Sequence, residues 1–140
     1  MTKLNQESGR SMVEMLGVLA IIGVLSIGGI AGYTMAMNRY RANEIMSAAS
    51  HVAIVAQTKD GGVGGDASLT DTPDLKAENL GITNIEANRE GIVQITGVRG
   101  DVASAINSVM GEDVCGANPT DGATCTYNPA TRETATFAAS

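Results

Sequence analysis

Between Glu14 and Arg39 the chain carries no charged side chain, and residues 15–37 read MLGVLAIIGVLSIGGIAGYTMAM. An apolar helix of about 20 residues, rising about 1.5 Å per residue, is long enough to cross the hydrocarbon core of a bilayer. A soluble core helix of this character needs a large apolar shell around it, and the chain offers one Phe and no Trp for that purpose. Lys3 and Arg10 ahead of the run, with small residues at Thr34-Met35-Ala36, also suit a secretory signal peptide. The apolar core of such a peptide is only about 7 to 15 residues long, however, and here a carboxylate, Glu14, stands at its entrance. The run reads as a membrane span, and Glu14 is the residue that this reading leaves unexplained.

The helical pattern does not stop with the span. In NRYRANEIMSAASHVAIVAQTKD the apolar residues Ala42, Ile45, Met46, Ala49, Val52, Ala53 and Ala56 recur at intervals of three and four, with Asn43, Glu44, Ser47 and Ser50 on the other side. Neither Pro nor Gly interrupts it. One helix is therefore expected from about residue 11 to about residue 58, roughly 70 Å long, with its first half in lipid and its second half laid on a small domain. From Arg41 onward six Lys and Arg stand against thirteen Asp and Glu. That balance repels nucleic acid and anionic lipid head groups, so the membrane is engaged through the apolar helix alone.

The stretch KDGGVGGDASLTDTPD is too rich in Gly, Asp and Thr to be anything but a loop. Gly62, Gly64 and Ala67 fit the dinucleotide-binding spacing, but a helix precedes them where the motif requires a strand. Asp60, Asp66, Asp71 and Asp74 are calcium-ligand types without the spacing of an EF-hand loop, which favours a solvated loop. Beyond it, TPDLKAENLGI is expected as a short helix ended by Gly81. GIVQITGV is expected as a strand with Ile92, Gln94, Thr96 and Val98 opposite Val93, Ile95 and Gly97. DVASAINSVMGED reads as a helix with Asp101 near its N-cap and Gly111 at its end, and TCTYNPATRETATFA as two strands around Asn128-Pro129. A helix against a few antiparallel strands is an α+β arrangement.

The only cysteines, Cys115 and Cys125, are separated by GANPTDGAT. Zinc needs four ligands, and the single histidine, His51, lies far away on a helix, so a disulfide fits better. Closing so short a loop is worth roughly 3 kcal/mol on the chain-entropy model and places the domain on the oxidising side of the membrane. His51 sits among Ser47, Ser50 and small apolar residues, where a nucleophile would need it presented in a cleft, and it reads as a histidine exposed on a helix or packed against a neighbouring subunit. No enzyme activity, cofactor or metal is expected.

The segment SGRSMVEMLGVLAIIGVLSIGGIAGY resembles the N-terminal signature of type IV prepilins and pseudopilins, over roughly residues 8–41. In that family a polar leader ends in Gly, a membrane peptidase cuts after it, and Glu is the fifth residue of the mature helix. The resemblance implies a leader at 1–9, cleavage between Gly9 and Arg10, an assembly helix at 10–38 and a head at 39–140. Glu14 then meets the new α-amine of a neighbouring subunit and sets register in the filament. Arg10 falls at the N-methylated position, where the family usually has an apolar residue, and Lys3 is the leader's only basic residue. Gly28, Gly29 and Gly32 stand where Pro is common, and would let the helix extend on assembly. The fold implied is pilin-like, with a long helix on a small sheet and a C-terminal disulfide loop. The implied partners are copies of itself, a prepilin peptidase, and an inner-membrane assembly platform with its ATPase. The precursor is then a single-pass inner-membrane protein with a periplasmic head, and the product an extracellular pilus. A pseudopilin of type II secretion is the alternative, and a single-span anchored periplasmic binding domain is a third.

Overall fold

The computed structural model describes residues 2–138, with side chains from residue 11 onward. The chain divides into two compact units, Met1–Ala36 and Met37–Ser140. The first is helix throughout its described residues, the N-terminal part of α1 (Thr2–Gly62). Regular helical geometry in α1 ends at Thr58, because Lys59 turns to ψ 156° and Asp60 and Gly61 take φ 53° and 70°. The reversal is closed by backbone bonds from Gly64 N–H to Lys59 O and from Gly65 N–H to Ala56 O. Asp60 takes the first left-handed conformation of this reversal, and glycines 61, 62 and 64 supply the others. Helix and end point agree with the expectation from spacing.

In the second unit the rest of α1 shares one core with an antiparallel five-stranded sheet of spatial order β1-β2-β3-β4-β5. The strands are β1 (Ala67–Ser68), β2 (Asn84–Ala87), β3 (Val93–Val98), β4 (Ala123–Asn128) and β5 (Glu133–Thr134). The helical stretches are a 3-10 turn at Leu69–Asp71, α2 (Ala77–Leu80) and α3 (Gly100–Met110). Register places Ile85 beside Ile95 and Ile95 beside Cys125, so that successive strands bury the same face. Onto it α1 brings Ala42, Ile45, Ala49, Val52, Ala53 and Ala56, all buried and at the predicted helical spacing. Burying these apolar surfaces together is what gives a domain with so few aromatics its stability.

One expectation is corrected here. Val98 shares the buried side with Val93 and Ile95 instead of lying with Ile92, Gln94 and Thr96. The β3–β4 register shifts between Ile95 and Val98, and of the two residues between them Gly97 has φ 73°. A bulge adds one residue and so exchanges the faces. A Cβ at Gly97 would collide with the Thr83 side chain, so only glycine fits the bulge. Asp101 does stand near the N-cap of α3, as expected. It lies in the first turn of α3, whose N-cap is Arg99, and no side chain of the cap residue bonds the helix. The loop glycines 81 and 111 do end α2 and α3 in the left-handed conformation, as their positions led us to expect.

The loop at 59–74 contains more order than its composition suggests, namely β1 and the 3-10 turn. Ser68 and Asp71 form a capping box there, each side chain receiving the other's backbone N–H. Cys115 and Cys125 form the expected disulfide, joining the loop after α3 to β4.

Candidate functional site

The unit Met1–Ala36 presents the feature most in need of a partner. From residue 11 to residue 36 every side chain is exposed, including Met12, Val13, Leu16, Leu19, Ile22 and Leu25 at about half exposure or more. Among the described residues this is the one helix long and apolar enough to cross a membrane. At about 1.5 Å per residue the stretch extends roughly 39 Å, more than the hydrocarbon thickness of about 30 Å. Exposed apolar area of this extent marks a surface that lipid or other protein covers.

Glu14 lies near the start of this surface, with Ser11, Gly17 and Val18 one turn away on the same face. It has no ion-pair or hydrogen-bond partner among the described residues. The expected cleavage and methylation positions, Gly9 and Arg10, lie outside the residues whose side chains are described. Gly28, Gly29 and Gly32 lie in regular helix, and a Cβ at any of the three meets nothing within 4 Å. Their small size therefore leaves open grooves along the helix surface, a place where another helix can approach closely.

In the head, the residues singled out from the sequence do not converge on one place. His51 is exposed on α1. Asp71 forms an ion pair with Lys59 at 3.1 Å and accepts the Ser68 N–H at 2.9 Å. The Ser68 N–H above all, then Lys59, hold the Asp71 carboxyl below its ordinary range. Lys59 also donates to Asp66 O at 2.7 Å, so one ammonium holds both ends of the reversal after α1. Among the described residues no three His, Cys, Asp or Glu side chains gather to hold a metal ion.

The sequence reading missed one polar group. Asn88, buried in the turn between β2 and β3, accepts the N–H groups of Glu90 and Ile92 at 3.1 and 3.0 Å and donates to Ala138 O at 3.0 Å. It fixes the hairpin and ties down the C-terminal segment together. The signal available for it was Asn followed three residues later by Gly91, a turn pair between apolar runs. Comparison with family models, with curated proteins and with solved structures returns no match to this chain.

Proposed function

We propose that this protein is a filament subunit of the type IV pilin class, held in the membrane as a precursor and polymerised through its N-terminal helix. The observation that carries the reading is Glu14, a carboxylate without a partner among the described residues, at the head of a helix whose every described side chain up to residue 36 is exposed. An anchor needs the apolar run and has no use for the charge. A carboxylate in the bilayer interior costs about 2.5–3.5 kcal/mol on insertion scales, and an opposite charge from a neighbour in a low-dielectric core offsets that cost. The terminal amine that cleavage after Gly9 creates at Arg10 of a neighbouring subunit supplies such a charge. The acidic head and its disulfide suit the oxidising side of the membrane and a product outside the cell.

The proposal is tested with Glu14→Ala in the organism that makes the protein. The variant removes the one charge in the way of insertion, so it is expected in the membrane, cut as the parent is. Sheared fibre is expected to fall to background while processed subunit stays in the membrane fraction. Normal fibre yield from Glu14→Ala defeats the reading and leaves an anchored domain whose carboxylate is a polar flank.

A further inference from the structure

The second unit begins at Met37, the last residue of the uncharged apolar run. From there α1 forms one wall of a cleft of about 300 Å³, and α2 with the start of α3 forms the other. Three of the charged side chains that line it, Arg41 and Glu44 from α1 and Glu78 from α2, are exposed and within reach of a ligand. None of the three has a hydrogen bond or ion pair among the described residues. Arg41 and Glu44 stand three residues apart on one helix, a spacing at which opposite charges can pair, and they do not pair. Other charges of the head are engaged: Lys59 with Asp71, Arg99 with Asp101, and Asp121 with the Gly100 N–H.

A free guanidinium and two free carboxylates around one cleft suit a ligand that carries both signs. The guanidinium offers a fork of N–H donors that matches the oxygens of a phosphate, and each carboxylate accepts from an ammonium. Position narrows the class of ligand. The apolar run ends at Met37, and Arg41 lies four residues farther on, a rise of about 6 Å along the helix. The headgroup layer of one leaflet is about 5–7 Å thick beyond the hydrocarbon. The acidic head repels anionic lipids, whereas a headgroup of zero net charge meets no such barrier.

We infer that this cleft binds the headgroup of a zwitterionic phospholipid, with the phosphate on Arg41 and a primary ammonium between Glu44 and Glu78. Met37 and Leu80 line the same cleft and give the glycerol end an apolar wall. A primary ammonium donates N–H bonds to the two carboxylates, and a quaternary one has none to donate. A quaternary group is instead held by a cage of aromatic faces, and Tyr40 is the one aromatic side chain lining the cleft. The site therefore prefers an ethanolamine headgroup to a choline headgroup. The inference rests on the apolar run lying in a bilayer, which a filament precursor and an anchored domain share, so it is independent of the role of Glu14.

The chain has three tyrosines, Tyr33, Tyr40 and Tyr127. Full-length protein in a nonionic detergent, labelled with 13C at the tyrosine ζ carbon, therefore gives three signals, with Tyr40 assigned by its loss in Tyr40→Phe. The probes are dihexanoyl phosphatidylethanolamine, dihexanoyl phosphatidylcholine and free phosphoethanolamine. The expected result is a saturable shift of the Tyr40 signal, with the ethanolamine lipid binding about fivefold tighter than the choline lipid and phosphoethanolamine weaker than either. Glu44→Gln combined with Glu78→Gln is expected to remove the preference, and Arg41→Gln to weaken both lipids. These side chains make no bonds in the fold, and an unchanged signal from buried Tyr127 checks that the core of each variant is intact. No saturable shift, equal binding of the two lipids, or a preference that survives the double variant overturns the inference. Lipid binding that Arg41→Gln leaves unchanged overturns it as well, and phosphoethanolamine binding as tight as the lipid assigns the cleft to a soluble zwitterion instead. None of these outcomes touches the filament proposal, which Glu14→Ala decides.

Discussion

Asp121 accepts the backbone N–H of Gly100 at 2.9 Å, so the first turn of α3 is capped by a residue that lies within the disulfide loop. Gly100 is buried, and a Cβ there would come within 3.0 Å of Pro119 O, so loop and helix start are pressed together. Asp101, the residue that sequence position favours as the cap, spends its two oxygens on its own neighbours Val102 and Arg99. Asp121→Ala is expected to lower stability by about 1–2 kcal/mol, as loss of an aspartate cap does, and Asp101→Ala by less. Denaturant midpoints of the two variants decide the order. A larger loss from Asp101→Ala contradicts the assignment.

The same loop gives the second expectation. Cys115 and Cys125 join it to β4, and Asn107 holds its other side by accepting the Cys115 N–H at 2.8 Å and donating to Gly116 O at 2.7 Å. Cys125 is fully buried among the strands. Reduction, or Cys115→Ser with Cys125→Ser, is expected to cost the head about 3 kcal/mol. Urea unfolding with and without a reductant measures it. Identical midpoints show that the hydrogen bonds of Asn107 hold the loop without the crosslink.

A third expectation concerns acid. The folded state holds the Asp71 carboxyl below its usual value through the Ser68 N–H and Lys59. A group whose folded pKa is lowered binds its proton more readily when unfolded, so its contribution is complete above the ordinary aspartate value of about 3.9 and falls away as pH drops below it. The loss belongs to the reversal after α1, which Lys59 also holds through Asp66 O. Melting temperatures taken from neutral pH down to about pH 3 should fall, and Asp71→Asn should flatten that fall. An unchanged slope in the variant assigns the acid sensitivity to other carboxylates.

How much of this was legible beforehand depended on which residues carried the signal. The buried stripe of α1 and its end at Thr58 follow from periodicity and a glycine run, and both are local properties of the chain. The disulfide followed from there being only two cysteines. Strand β2 was missed because TNIEA contains one large apolar residue, Ile85, and becomes a strand only through its pairing with β3. The faces of β3 were misassigned after Thr96 because a bulge at Gly97 depends on the approach of Thr83, which lies thirteen residues ahead of Thr96 in no pattern that the sequence displays. For the same reason the cap from Asp121 was not visible, since it joins residues distant in sequence. What the sequence did display was the apolar helix with Glu14, whose meaning depends on molecules outside the chain.

The position of the cut is the expectation that most directly separates the proposed subunit from a secreted or anchored domain. If Glu14 is to meet a neighbour's amine, each subunit must carry a free amine at the same end of its apolar surface as Glu14, and Arg10 is four residues before it. Cleavage after Gly9 creates the amine there, while cleavage near Ala36 removes Glu14 and the whole apolar surface with it. The intact mass of protein taken from fibre or membrane is therefore expected to correspond to a chain starting at Arg10. Gly9→Val, which places a branched side chain at the cut, is expected to leave the longer precursor in the membrane and no fibre. A mature chain that starts at Met37 shows the apolar run to be an export signal, and the filament proposal falls with it. A full-length chain that accumulates without cutting, in cells that hold a working peptidase, leaves an anchored domain in its place.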